Sequence, residues 1–317
     1  MGKIKSIEIC AGAGGQALGL EQAGFEHIAL IEIEPMACQT LKLNRPKWNV
    51  IQDDVKKIDT TKFKGLVDLF AGGVPCPPFS VAGRQHGELD DRDLFPVALR
   101  LIKECDPKAI LLENVKGLLE SKFDDYRQNI ISQLNEMGYC CDWQLLYASD
   151  YGVSQLRPRA ILVALKPEYF HFFEWPQKNK NSPQTIGQLL FKEMAELGWE
   201  GVNQWKERAN KIAPTLVGGS KKHGGADLGP TRARIAWGSL GVDGSGLANN
   251  PPMNGYNGNP KLTLKMTALI QGFPLDWTFV GKKTPAYRQV GNAFPPPVAK
   301  AVGKSIIKAL KHGKKST

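Results

Sequence analysis

Residues 8–25 read EICAGAGGQALGLEQAGF, an apolar run that breaks into glycines and then takes up helical spacing. Gly12, Gly14 and Ala17 fit the G-x-G-x-x-G/A turn that joins the first strand of a doubly wound sheet to its first helix. Glu32 stands 20 residues after Gly12, at the end of the next apolar run, HIALIEIE. In such a fold the glycine turn lets a ligand approach the backbone, and the acidic residue takes ribose hydroxyls. The pattern alone leaves three readings open: a nicotinamide dinucleotide site, an S-adenosylmethionine site, or a tight turn without a ligand.

Outward from this turn the first half alternates. SIEICAG, HIALIEIE, VIQDDV, LVDLFAGG and AILLENV are short, apolar and bounded by Gly, Pro or Asp, which predicts buried strands. GGQALGLEQAG, EPMACQTLKLN, DLFPVALRLIKEC and FDDYRQNIISQLNEMG carry helical spacing between and after them. CDWQLLYASDYG and RAILVALK add two further strands. The alternation predicts an α/β fold with a doubly wound, mostly parallel, Rossmann-like sheet. Near residue 168 the composition turns to Gly, Asn, Pro, Lys and scattered Trp. Residues 168–274 are therefore expected to form a smaller, irregular inserted domain with its hinge, and residues 1–167 and 275–317 the main domain.

With 42% hydrophobic and 23% charged residues, the chain has the composition of an ordinary globular protein. No apolar run approaches the roughly 18 residues of a membrane span, and the N-terminus lacks a signal-peptide core, so a cytoplasmic protein is expected. The net charge of +10 favours a polyanionic partner, although a basic surface also serves solubility alone. Six cysteines show no CxxC spacing and no His at metal-ligand spacing, so neither a metal site nor a disulfide framework is expected.

One cysteine is unlike the others. In GGVPCPPFS, residues 72–80, Cys76 sits between Pro75 and Pro77–Pro78, which fix φ and stiffen the segment. Such rigidity suits a thiol that must meet a substrate atom at a set distance. Asp54 and Glu113 close the third and fifth strands, so carboxylates and a thiol converge on one sheet edge. Asp54 reads equally as a helix N-cap, and Glu113 as a structural carboxylate. A Cys–Glu pair without a His base fits a nucleophile and a proton donor, provided burial keeps the acid neutral. Arg157 and Arg159 stand two apart and so on one side of an extended chain, for a phosphate or base carbonyl or simply for solvent.

In their order, AGAGGQALGLEQAGF, EIEP, DDV, GGVPCPPFS, LLENVKGL, QLRPR, KLTLKMTALIQGFP and YRQVGNAFPPPVA resemble the bacterial cytosine-C5 DNA methyltransferase family across residues 8–302. The resemblance implies that Cys76 is a nucleophile adding to cytosine C6, that Glu113 is the acid at N3, and that Arg159 meets the base carbonyl with Arg157 in support. It implies S-adenosyl-L-methionine as cofactor, held by Cys10, Ala11, Gly12, Gly14, Gly15, Glu32, Ile33, Asp54, Val55 and Asn292. The family usually reads Asp-Leu-Phe-Ala-Gly where this chain reads Glu8-Ile9-Cys10-Ala11-Gly12, so the Phe that stacks on adenine is missing.

The implied partner is double-stranded DNA, the implied enzyme is either the functional counterpart of a restriction endonuclease or a solitary methylase, and it is expected to be a monomer of bacterial or phage origin. The target base would be flipped out of the duplex, and loop 80–93 would close over it. Lys221, Lys222, Arg232 and Arg234 are candidate DNA contacts. Competing readings are a nicotinamide oxidoreductase, an RNA methylase of the same family, and a DNA-binding protein without catalysis.

Overall fold

The computed structural model describes residues 3–75, 93–219 and 225–313. The seven apolar runs form one sheet: β1 Ile4–Ile9, β2 Phe25–Glu32, β3 Val50–Gln52, β4 Leu69–Gly73, β5 Ala109–Val115, β6 Cys140–Tyr147 and β7 Pro158–Leu165. Their order is β3-β2-β1-β4-β5-β7-β6. The first five strands run parallel, and β7 lies antiparallel to both β5 and β6. Strand order reverses at β1, which pairs with β2 on one side and β4 on the other. The crevice outside the carboxyl ends at such a reversal is where open α/β sheets bind ligands.

Both faces of the sheet are covered, which is why the strands read as continuous apolar runs. In β5, Ala109 and Leu111 enter one core while Ile110 and Leu112 enter the other. Helices α1 Gly15–Ala23 and α2 Pro35–Asn44 follow β1 and β2; α3 Phe95–Cys105 and α4 Asp124–Glu136 follow β4 and β5. Leu99, Leu101 and Ile102 of α3 and Ile130 and Leu134 of α4 close the second core. The last helix, α12 Pro296–Gly313, closes the first core against α1 with Val298, Val302, Ile306 and Leu310 at helical spacing. Each such fully buried aliphatic side chain contributes about 1.5–3 kcal/mol.

The expected boundary at residue 168 falls inside α5 Pro167–Phe170, where Tyr169, followed by Phe172, Phe173 and Trp175, still packs on the sheet. Beyond it lie α6 Ile186–Leu189, α7 Phe191–Ala195, α8 Val202–Arg208, α9 Thr231–Ser239, α10 Leu264–Gln271 and α11 Lys283–Asn292. They surround a separate core that includes Leu216, Trp205, Trp237, Met266 and Tyr287. No strand ladder forms there among the described residues; isolated bridges such as Leu197 to Met253 and Ala248 to Thr263 take its place. Helices α10 and α11 also contribute Ala268, Ala286 and Val290 to a small cluster with Ala13 and Leu18, so they join this lobe to the first β–α turn. Among the described residues no helix is long and apolar enough to cross a membrane.

Candidate active site

The carboxyl edge of the sheet opens into a cavity of about 730 Å³, a size usual for small-ligand sites. Its lining follows the strand order: Asp54 beyond β3, Glu32 ending β2, Glu8 in β1 with Cys10 just beyond it, Gly73 ending β4 with Pro75 beyond it, and Glu113 from β5. Ala11, Gly12, Gly15, Ile33 and Val55 complete this wall, and Gly219, Arg288 and Asn292 face it from the other lobe. Gly14 does not line the cavity; a Cβ there would stand 2.7 Å from Leu41 Cδ2, against Trp277.

The glycine turn is built by positive φ at Cys10, Gly12 and Gly14 (51°, 53° and 88°). At Gly12 a Cβ would meet nothing within 4 Å, so the glycine answers to its left-handed backbone and leaves that backbone open to the cavity. At Gly15 a Cβ would lie 2.2 Å from the Phe294 carbonyl oxygen, and the start of α1 therefore touches the chain before α12 backbone to backbone.

Glu32 is clamped by the same turn. Gly12 N–H donates to its Oε2 at 2.7 Å and Glu34 N–H to its Oε1 at 2.8 Å. Burial raises its pKa, against the pull of these two donors. Each oxygen keeps lone-pair capacity for a ligand hydroxyl. Asp54 does not close the third strand but answers to its other reading, the helix cap: β3 ends at Gln52, and Asp54 caps the following turn by accepting Lys56 N–H at 3.0 Å. Its carboxylate borders the cavity while serving as that cap.

At the far end Glu113 is buried at 9% exposure, with Arg159 Nε 2.6 Å from its Oε1. The Nε–H is not aligned as a hydrogen bond, so the contact is an ion pair in the strict sense. It arises because β7 runs antiparallel to β5, bringing Arg159 opposite Val115 at the start of its strand. Asn114 ties the neighbouring segment down: its Nδ2–H donates to Val74 O at 2.7 Å. Leu94 N–H then donates to Pro75 O at 3.2 Å. Cys76 and most of loop 80–93 lie outside the described residues, as do Lys221 and Lys222.

Arg157 does not share the side of Arg159. Its φ of 24° breaks the extended chain, and its guanidinium turns into the joint between the lobes. There it donates to Leu216 O at 2.9 Å and to Gly291 O and Ala293 O at 2.8 Å each. Burial, with the Arg159 charge next, pushes its pKa well down from the ordinary value. Those three carbonyls occupy it, so Arg157 is a clasp between the lobes. Gln155 works beside it, accepting Leu216 N–H at 2.8 Å and donating to Gln271 Oε1 at 2.7 Å.

Opposite the glycine turn, Asn292 donates to Gly219 O at 3.2 Å. A Cβ on Gly291 would lie 2.5 Å from Gly218 Cα, so these two backbones cross where only glycine fits.

The described thiols with shifted pKa values are all poor nucleophiles. Burial pushes Cys10, Cys105 and Cys141 up to about 12 and Cys38 to about 11. Among the cavity residues that sequence reasoning missed are Glu8 and Gln16, both almost fully buried. The visible signal for Glu8 was an acid between two isoleucines of a buried strand; for Gln16 it was an amide inside the glycine turn's first helical residues.

A family model described as C-5 cytosine-specific DNA methylase matches residues 4–308. The chain is 58% identical to the type II methyltransferase M.NgoMIV of Neisseria gonorrhoeae, over 98% of this chain and 99% of that protein. It is 52% identical to the type II methyltransferase M.NaeI of Lentzea aerocolonigenes, over 98% of this chain and 76% of the relative. Among solved structures, the methyltransferase EhMeth of Entamoeba histolytica superposes with a TM-score of 0.70 at 17% identity, covering 98% of this chain and 99% of that one.

Proposed function

Since this chain belongs to the C-5 cytosine-specific DNA methylase family, we propose that it methylates one specific cytosine of duplex DNA as the modification half of a type II restriction–modification pair. S-Adenosylmethionine supplies an electrophilic methyl group on a sulfonium. The cavity fits that donor: Glu32 is fixed to take ribose hydroxyls, Asp54 and Ile33 border the position for adenine, and the exposed backbone at Gly12 permits close approach. One observation carries the reading. A single cavity runs from Asp54 and Glu32 to Glu113, so donor and acceptor meet at one sheet edge.

The remaining steps belong to the protein's own groups. Cytosine C5 is a weak nucleophile. The Cys76 thiolate adds to C6, which turns the ring into an enamine reactive at C5. Glu113, paired with Arg159 in the free chain, takes up a proton from water as the base enters and passes it to N3, so that no negative charge accumulates on the ring while C5 takes the methyl group; Arg159 then turns to the base carbonyl. Loss of the C5 proton then releases the thiol by elimination. The prolines on either side of Cys76 support it as the nucleophile, since they hold its thiol in a stiff segment directly after the fourth strand. Because C6 is stacked inside a duplex, the base is flipped out first, at a cost of a few kcal/mol. Arg232 and Arg234 of α9, with the +10 net charge, support phosphate contacts from the second lobe. The enzyme works in the cytoplasm, as a monomer.

The test is methyl transfer to duplex DNA together with adduct formation on a 5-fluorocytosine duplex. Cys76→Ser is expected to abolish both while DNA binding persists; turnover in that variant would overturn the mechanism. Glu113→Gln is expected to slow transfer by about 10²–10⁴-fold, the usual worth of a positioned proton donor.

A further inference from the structure

Helix α9 differs from its neighbours in what it leaves uncovered. Ile235 is 70% exposed, the most exposed large apolar side chain among the described residues. Its neighbours on the helix surface, three and four residues away, are Thr231, Arg232, Gly238 and Ser239. Trp237, on the opposite face, is fully buried in the core of the second lobe. The helix is thus anchored by one face and carries Ile235 at the middle of the other. Arg232 and Arg234 stand on either side of that middle line. No acidic residue lies in the helix.

Gly238 is the odd member of this face. Its φ is not positive, and a Cβ there would meet nothing within 4 Å. Neither the backbone nor the packing of this chain calls for a glycine, and glycine inside a helix is destabilising relative to alanine. A missing side chain at such a place serves a body outside the chain that comes close to the helix.

Charge and position say which body that is. Between residues 209 and 242 the sequence holds Lys211, Lys221, Lys222, Arg232 and Arg234 against the single carboxylate of Asp227. Asp227 is already engaged, since Gly229 N–H donates to its Oδ1 at 2.9 Å. The α7–α8 stretch, in contrast, carries Glu193, Glu196, Glu200 and Glu207. A polyanion is drawn to α9 and repelled from α7 and α8. A Cβ on Gly229, directly before α9, would lie 3.6 Å from Val217 Cγ2, and Gly219, two residues further on, lines the cavity that ends at Glu113. A duplex that delivers a base to Glu113 therefore brings the adjoining base pairs to this helix. The major groove, about 12 Å wide, admits one α-helix.

We propose that α9 lies in the major groove beside the target cytosine, with Ile235 packed on the C5 edge of a neighbouring pyrimidine. Gly238 lets the helix close on the groove wall, and Arg232 and Arg234 hold phosphates on its two sides. Ile235 thereby helps to set which sequence is methylated. The assignment rests on the reading that duplex DNA is the substrate.

Bisulfite sequencing of unmethylated, mixed-sequence plasmid DNA treated with the full-length enzyme tests it. In Ile235→Ala, methylation at the full site relative to sites differing by one base pair is expected to fall about tenfold, the worth of one base contact, and at one position of the site only. Gly238→Gln is expected to weaken duplex binding at least about tenfold while the thermal unfolding midpoint holds or rises. Arg232→Gln should weaken binding to all sequences alike, leave the site ratio unchanged and lower the log–log salt slope by about one. A ratio that stays put in Ile235→Ala, or falls equally at every position, would overturn the groove placement, as would unaltered duplex binding in Gly238→Gln. Failure of the unaltered enzyme to methylate the plasmid at all would instead remove the duplex reading on which the placement rests.

Discussion

The sheet lobe and the Trp-rich lobe bury their cores by different means. In the first, strand backbones bond one another in register, and every second side chain enters a given core. In the second, Trp side chains do the tying: the Trp205 indole donates to Gly241 O at 3.1 Å and the Trp199 indole to Tyr256 O at 3.0 Å. A ladder spreads its energy over many equivalent bonds. A lobe tied by a few large side chains depends on each of them far more.

The largest effect should therefore come from one tryptophan. Trp205→Ala is expected to cost the second lobe about 3–5 kcal/mol and to abolish DNA binding while S-adenosylhomocysteine binding by the sheet edge survives. Loss of both together, in a filter-binding assay run beside calorimetry, would break the comparison. A smaller loss is expected at the crossing of the two lobes. Gly291→Ala sets a methyl group against the Gly218 backbone and should cost about 1–3 kcal/mol, lowering DNA and cofactor affinity in parallel. A change confined to one ligand would show that the crossing serves one lobe alone.

The smallest effect belongs to the sheet lobe. His27 Nε2 lies 2.8 Å from Ala17 O, a pure acceptor, so Nε2 carries the proton and Nδ1 accepts from Ser6 Oγ at 2.9 Å. Burial lowers its pKa below 6.5. The folded state thus binds fewer protons than the unfolded one below that value, so stability is full above it and falls as the pH drops. Urea unfolding from about pH 7.5 down to about pH 5.5 should show this slope, and His27→Gln should remove part of it. An unchanged slope would mean that other groups carry the acid sensitivity.

The same contrast sets what the sequence reveals. All seven strands are visible because a sheet covered on both faces needs uninterrupted apolar runs, and Gly or Pro marks their ends. The glycine turn and Glu32 are visible through fixed spacing. Arg157 misleads, because two-residue alternation holds only for an extended chain and its positive φ comes from bonds to a distant lobe. Asp54 looks like a strand end because nothing local shows that β3 stops at Gln52. Glu8 reads only as an acid within an apolar run, and it is the packing of α1 and α12 that shows how completely it is buried. The second lobe has no period to read, since its order comes from single long-range contacts.

The reversed direction of β7 has a mechanical consequence. A parallel strand would bring its last residue to Glu113, but this one brings its first, directly after the clasp at Arg157. Only Pro158, with its rigid ring, separates the guanidinium that grips the far lobe from the one that faces Glu113. Leu216 and Gly291, which accept from Arg157, thus stand one rigid residue away from the partner of Glu113.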